Sequence, residues 1–216
     1  MTLIFQFILG MSCIVPSIAA VIKFNKAQKN YHPFFLLIWI AVITELVADI
    51  PLLLFNNYQF LAVAYPLYNI IEVVLMLSFI KRNNIQIPSW FIILAGIAGV
   101  VCFAVNYCWY LFYHQRILLW HYTAIVFLAI ILVQSIRLLS GQLFTTNVSA
   151  FKNPLMIIAF GCILYYAFFL LVSIFTGLNT SFTLYGTIFS VHQIINPLTY
   201  VIFTWAIIWI PRKSRY

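Results

Sequence analysis

The chain has three acidic residues, Glu45, Asp49 and Glu72, and all of them fall inside long apolar segments. A carboxyl group is costly to place inside a membrane, so such residues usually face the interior of a helix bundle or a water-filled cavity. Glu45 and Asp49 are four residues apart and therefore share one face of a helix. Carboxyl groups in this setting can bind a cation, carry a proton or accept hydrogen bonds from a ligand. The alternative is that they only pair with polar groups on neighbouring helices and fix the packing.

Amide and imidazole side chains lie at similar depth in the other apolar segments, counted at about 1.5 Å per helical residue. We expect these groups to surround one polar cavity that is reached from the outer face of the membrane. The candidate ligand-binding or proton-coupling residues are Glu45, Asp49, Glu72, Asn69, His121, His192 and Asn196. The histidines lack the HxxxH and HExxH spacings of helical metal sites, so we predict no metal and no cofactor. No catalytic motif is present, which favours a role other than enzyme.

The composition indicates that these residues belong to a membrane protein. Of the 216 residues, 65% are hydrophobic and only 6% are charged, whereas a soluble domain carries about 25% charged residues. This difference excludes a water-soluble enzyme or nucleic-acid-binding protein. Several runs reach the ~20 apolar residues that a helix needs to cross a bilayer, and none shows the alternation of barrel strands.

The predicted fold class is therefore all-α membrane, with residues 1–216 forming a single domain of seven transmembrane helices. The predicted spans are 3–22, 33–55, 60–80, 90–112, 117–139, 155–177 and 184–210. The loops between these spans are short, so a chemical function would have to lie between the helices.

The basic residues predict how these helices are oriented. Ten of the eleven Lys and Arg residues lie in the loops, tail and adjoining helix ends of one side, and such residues concentrate on the cytoplasmic side. The N-terminus is therefore predicted to be outside and the C-terminus cytoplasmic. The expected partners are the lipid bilayer and a possible membrane or cytoplasmic protein, with no nucleic acid. The residues expected to contact that protein are Lys23, Lys26, Lys29, Lys81, Arg82, Arg212, Lys213 and Arg215.

A faint internal repeat relates the first three helices to the last three. The second and sixth spans each begin at a proline, Pro33 and Pro154. The third and seventh each carry a central asparagine, Asn69 and Asn196, and are followed by basic residues. Three helices, a linker helix and three more would form a 3+1+3 parallel repeat. This layout resembles that of the sugar transporters with PQ-loop repeats, although the Pro-Gln motifs themselves are missing.

Short motifs spread over nearly the whole chain carry a second resemblance. They are Tyr68-Asn69-Ile70-Ile71-Glu72, the region around Glu45, Asn153-Pro154-Leu155, Leu164-Tyr165-Tyr166, His192-Gln193-Ile194-Ile195-Asn196, and Ala206-Ile207-Ile208-Trp209 with a basic tail. With these motifs the chain resembles the small seven-helix integral membrane proteins of Bacteroidetes, a group without a settled activity. The resemblance implies a multi-pass protein of the bacterial inner (cytoplasmic) membrane.

Together these features predict a polytopic inner-membrane protein with a buried acidic and polar cavity. The favoured function is binding or sensing of a small ligand, with the signal passed to a partner because no cytoplasmic output domain is present. One alternative is a proton- or cation-coupled transporter or channel. Others are a structural subunit of a larger membrane complex and an intramembrane enzyme.

Overall fold

The computed structural model describes residues 11–55, 59–83, 86–113, 119–145, 149–177 and 182–212, and this part of the chain is all-helical. The α-helices are α1 (Ile14–Phe24), α2 (His32–Phe55), α3 (Gln59–Arg82), α4 (Ser89–Tyr113), α5 (Leu119–Thr145), α6 (Pro154–Gly177) and α7 (Phe182–Trp209). Short 3-10 helices at Met11–Cys13, Lys29–Tyr31 and Ala150–Lys152 precede α1, α2 and α6. The all-α prediction is confirmed.

Helices α2 to α7 begin and end within two residues of the predicted spans, with one exception. Helix α5 continues six residues past its predicted end at 139, to Thr145. Its extra turns carry Gln142, whose side-chain oxygen accepts a hydrogen bond from the Asn153 side chain. Arg137 therefore lies inside the helix, where a long arginine side chain can still reach the membrane interface.

Within the described segments, five helices are long and apolar enough to cross a membrane, which indicates a multi-pass membrane protein. The qualifying segments are Lys29–Val47, Val63–Arg82, Ser89–Trp109, His121–Phe144 and Pro154–Phe175. In the other two helices the apolar segments are shorter, Ile14–Phe24 in α1 and Gln193–Trp209 in α7.

The helices form a ring in which most sequence neighbours are also neighbours in space. Helix α1 contacts both α2 and α7, which closes the ring, and α3 contacts α5. Helix α4 packs outside the ring against α3 and α5. Gly99 permits this close approach, because a Cβ atom at this position would lie 2.9 Å from Ile70 Cγ1 on α3 and 3.1 Å from Phe127 Cε2 on α5. The outward face of α4 is left exposed along most of its length.

The end of the ring that carries most of the basic residues, here called the basic end, is joined by polar contacts between its loops. The Lys23 ammonium donates hydrogen bonds to the backbone carbonyls of Ile208 (2.8 Å) and Ile210 (3.0 Å) at the end of α7. A cation at a helix C-terminus is favourable because the last carbonyls have no partner within the helix. An isolated bridge between Ala27 and Arg212 continues this contact. These bonds hold the first loop against the C-terminal residues.

Helix α6 begins at Pro154, and the preceding residue, Asn153, caps it. The Asn153 side-chain oxygen accepts hydrogen bonds from the backbone N–H groups of Leu155 (3.0 Å) and Met156 (3.4 Å). Asparagine is among the preferred residues at this position, and proline suits the first helical turn because its missing N–H would be unpaired there. This cap sets where α6 begins, about three turns before the tyrosines of α6 that line the cavity.

Replacing Asn153 by alanine is expected to lower the free energy of unfolding by about 1 kcal/mol, since two N–H groups lose their acceptor. Equilibrium unfolding in mixed micelles with increasing SDS measures this change. Asn25→Ala is the matched control, because Asn25 is exposed and its side chain makes no hydrogen bond with the described residues. Equal stability of the two variants would contradict the capping role.

Candidate functional site

A small cavity lies inside the ring between α2, α3, α6 and α7. It is lined by Leu37, Ile38, Ala41, Tyr68, Glu72, Tyr165, Tyr166, Asn196, Thr199, Tyr200 and Phe203. Seven of these eleven side chains carry a polar group, although most of the cavity surface is apolar. The centre of a water molecule can occupy about 20 Å³ of this space, which is enough for one or two water-sized species.

Glu72 is the central polar residue of the cavity and is only 2% exposed. One of its carboxyl oxygens, Oε1, accepts two hydrogen bonds, from the hydroxyls of Tyr68 (3.0 Å) and Tyr166 (2.8 Å). Tyr68 lies one turn earlier on α3, whereas Tyr166 belongs to α6, so the carboxyl group joins two helices. The other oxygen, Oε2, receives no hydrogen bond from the described residues. It is therefore the atom that Glu72 leaves for a species in the cavity.

Glu45 on α2 lies beside the same cluster of tyrosines. Its Oε2 atom is 3.4 Å from the hydroxyl of Tyr65 on α3, longer than an ordinary O–H···O bond. Tyr65 comes one turn before Tyr68 on α3. The two carboxyl groups therefore border one polar region, although they come from different helices and lie 27 positions apart in the sequence.

On the side facing the basic end, packed rings close the cavity. Phe34, Phe79 and Phe203, here called the aromatic layer, come from α2, α3 and α7 and are all buried. The ring centroid of Phe34 lies 5.5 Å from that of Phe79 and 5.1 Å, edge to face, from that of Phe203. Phe79 follows Glu72 by seven residues, a rise of ~10 Å along α3. The aromatic layer thus separates the carboxyl group from the basic end.

The predicted site residues divide into three groups. Glu72 and Asn196 line the cavity, and Glu45 lies next to it. Asn69 and His121 do not line it, and His121 lies on α5, near the end of the ring opposite the basic end. The side chains of Asp49 and His192 lie outside the part of the chain whose side chains are described.

His121 has one feature of its own, since its Nε2 atom is buried without a hydrogen-bond partner in the described part of the chain. The side-chain oxygen of Asn106 on α4 is also buried without a hydrogen-bond partner among the described residues. Across the described segments, no three His, Cys, Asp or Glu side chains come together as metal ligands would. Glu72 lines a cavity together with other polar side chains, whereas the described histidines form no metal cluster.

The hydroxyl groups near Glu72 were not predicted, among them those of Tyr165, Tyr166, Tyr200 and Thr199, which line the same cavity. A signal was present in the adjacent pair Tyr165-Tyr166, because tyrosines of membrane proteins are enriched at the interfaces and this pair lies in the middle of a span. The two rings meet edge to face with centroids 5.1 Å apart. A tyrosine pair in the middle of a span therefore indicates a polar site, as a buried carboxyl group does.

Chemically, the site combines a buried carboxyl group with phenols that can donate or accept hydrogen bonds. Such a site can hold a proton, a small cation or a small polar ligand. The chain matches no protein-family model, and no match was found among curated proteins or solved structures. The geometry of the cavity is therefore the basis for proposing a function.

Proposed function

We propose that this chain is a polytopic protein of the bacterial inner membrane that binds a small ligand at Glu72 and signals through a partner. The observation that carries the proposal is the Glu72 carboxyl group, which has one oxygen bonded to two phenols and one left to the cavity. A side chain that only fixed packing would have both oxygens satisfied by neighbouring helices.

We further propose a seven-span topology with the N-terminus outside and the C-terminus in the cytoplasm. The basic end then lies in the cytoplasm, as expected from the preference of Lys and Arg for that side. The cavity would be reached from the outer side, because the aromatic layer lies between it and the basic end. The peripheral position of α4 supports the 3+1+3 layout, in which this helix links two groups of three.

The proposed partner protein would dock on the basic end. Lys26, Lys29, Arg82 and Arg212 are exposed there, whereas the Lys23 ammonium bonds to the end of α7. Lys213 and Arg215 belong to the same predicted contact but lie outside the described residues. Exposed cations also attract anionic lipid headgroups, so the lipid and the protein would share this surface.

A second candidate function is proton- or cation-coupled transport. The observation that favours it is the small size of the cavity, which suits an ion or a water molecule better than a sugar or an amino acid. Transport requires that the aromatic layer open, because a carrier must expose its site to each face in turn. Accumulation of a labelled cation inside proteoliposomes would favour transport, whereas saturable binding without accumulation favours a sensor.

The proposed function predicts that a small solute stabilises the protein through Glu72. Protein in lipid nanodiscs is heated with formamide, acetate or methylammonium, which are neutral, anionic and cationic, and unfolding is followed by tryptophan fluorescence. At least one of them is expected to raise the Tm in a concentration-dependent way, since a ligand that binds only the folded state stabilises it. The effect should be absent in Glu72→Gln. If no solute raises the Tm of the wild-type protein, the binding function is wrong.

A further inference from the structure

We infer that the ligand of the cavity is a small ammonium-type cation, of the size of ammonium or methylammonium. The inference rests on the proposed function and names its ligand class. Three features of the cavity support it. They are a carboxyl group without a cationic partner, hydroxyl groups whose protons point away from the cavity, and aromatic rings around a small volume.

The first feature is a carboxyl group with no cationic partner. In the part of the chain that the structure describes, the only hydrogen bonds to Glu72 come from two tyrosines, and no Lys or Arg pairs with it. Lys23 lies at the end of α1 and its ammonium bonds to carbonyls at the end of α7, and Arg137 on α5 is exposed. A buried carboxyl group either takes up a proton and becomes neutral or keeps its charge beside a cation. A cationic ligand would supply the missing charge.

The second feature is the direction of the hydroxyl protons around Glu72. The hydroxyls of Tyr68 and Tyr166 both donate to Glu72 Oε1. The Thr199 hydroxyl donates to the backbone carbonyl of Ile195 at 3.0 Å. Each of these oxygens can then offer only lone pairs to the cavity, as can Oε2 of an ionised Glu72, whereas the Asn196 amide can both donate and accept. A set of acceptors of this kind fits a ligand that carries several N–H donors.

The third feature is the combination of aromatic rings and small volume. Tyr165, Tyr200 and Phe203 line the cavity, and aromatic faces attract cations that lie within about 6 Å of the ring centre. Ammonium is close to a water molecule in size, and the cavity holds one or two such species. An alkali metal ion would instead prefer a shell of oxygen ligands on all sides.

Equilibrium binding of radiolabelled methylammonium to the full-length protein in nanodiscs tests this inference. Saturable binding is expected in the wild-type protein, with at least tenfold weaker binding in Glu72→Gln, which keeps the shape of the side chain and removes its charge. Tyr166→Phe is expected to weaken binding by a smaller factor, because it removes one acceptor and leaves the ring. Tyr122→Phe is the matched control, since Tyr122 lies on α5 and is 56% exposed, and its binding should equal that of the wild type.

The outcomes separate the ligand class from the function. If formamide or acetate raises the Tm through Glu72 and methylammonium does not bind, the cationic class is wrong and the small-ligand site stands. Displacement of methylammonium by potassium as efficiently as by ammonium would overturn the ammonium class in favour of an alkali ion. If no solute binds, both proposals fail. If Glu72→Gln does not fold, the other two variants still test the inference. Weaker binding in Tyr166→Phe than in Tyr122→Phe supports it, and equal binding in the two variants overturns it.

Discussion

Replacing Phe34 by alanine is expected to lower the free energy of unfolding by about 3–5 kcal/mol, the range for large-to-small changes of buried aromatic residues. Phe34 is completely buried, and its ring packs between those of Phe79 and Phe203 in the aromatic layer. In a membrane protein the cost comes mainly from lost packing contacts, because lipid tails solvate an apolar side chain as well as the protein interior does. SDS-induced equilibrium unfolding measures the difference.

The same variant is expected to loosen the packing of the cavity wall, because Phe203 both contacts Phe34 and lines the cavity. Without its edge-to-face neighbour, the Phe203 ring is free to move, and methylammonium should bind less tightly. Phe144→Ala is the matched control, since Phe144 lies on α5 and is 89% exposed. A Phe34 variant as stable as this control would show that the aromatic layer is not tightly packed.

A methyl group at Gly161 is expected to destabilise the contact between α6 and α7 by about 1–3 kcal/mol, the usual cost of overpacking a core. A Cβ atom there would lie 2.7 Å from Phe203 Cε1 and 3.1 Å from Ile202 Cγ2. The first distance is too short for two carbon atoms, so the ring of Phe203 must shift. That ring is buried against Phe34, which leaves the cavity as the open direction.

Gly161→Ala should therefore reduce both the Tm and the affinity for methylammonium. Gly141→Ala is the control, because a Cβ atom at Gly141 would meet nothing within 4 Å. Alanine there should be neutral or stabilising by up to about 1 kcal/mol, since alanine favours a helix over glycine. If Gly161→Ala gained stability as Gly141→Ala does, the close packing of α6 on α7 would be wrong.

Helix positions could be predicted closely because they depend on local properties of the chain. Each apolar run between polar or proline-containing loops is long enough for a helix, and the bounds of α2, α4 and α6 lie within one residue of the predicted ones. The end of α5 was predicted six residues too early, because the apolar run ends at Leu139 while the helix continues to Thr145. The polar contact that accompanies these last turns joins Gln142 to Asn153.

The candidate site was predictable in part. Glu72 was identified because a carboxyl group inside an apolar segment is costly, and Asn196 because an amide there needs a partner. The tyrosines were not assigned, since their rings are equally suited to a lipid interface and to a core. Tyr122 and Tyr166 both lie in apolar helices, yet the first is 56% exposed and the second is 2% exposed.

By itself, then, the sequence determined an all-helical membrane protein, the approximate extent of its helices, and two of the residues that line the cavity, Glu72 and Asn196. Only the tertiary structure decided that Tyr68 and Tyr166 hold one oxygen of Glu72 and that the aromatic layer closes the cavity toward the basic end. The physical reason is that these helices are apolar all round, because lipid and the protein interior are equally apolar. The pattern of side chains therefore does not show which face turns inward, and that choice is made by packing between helices.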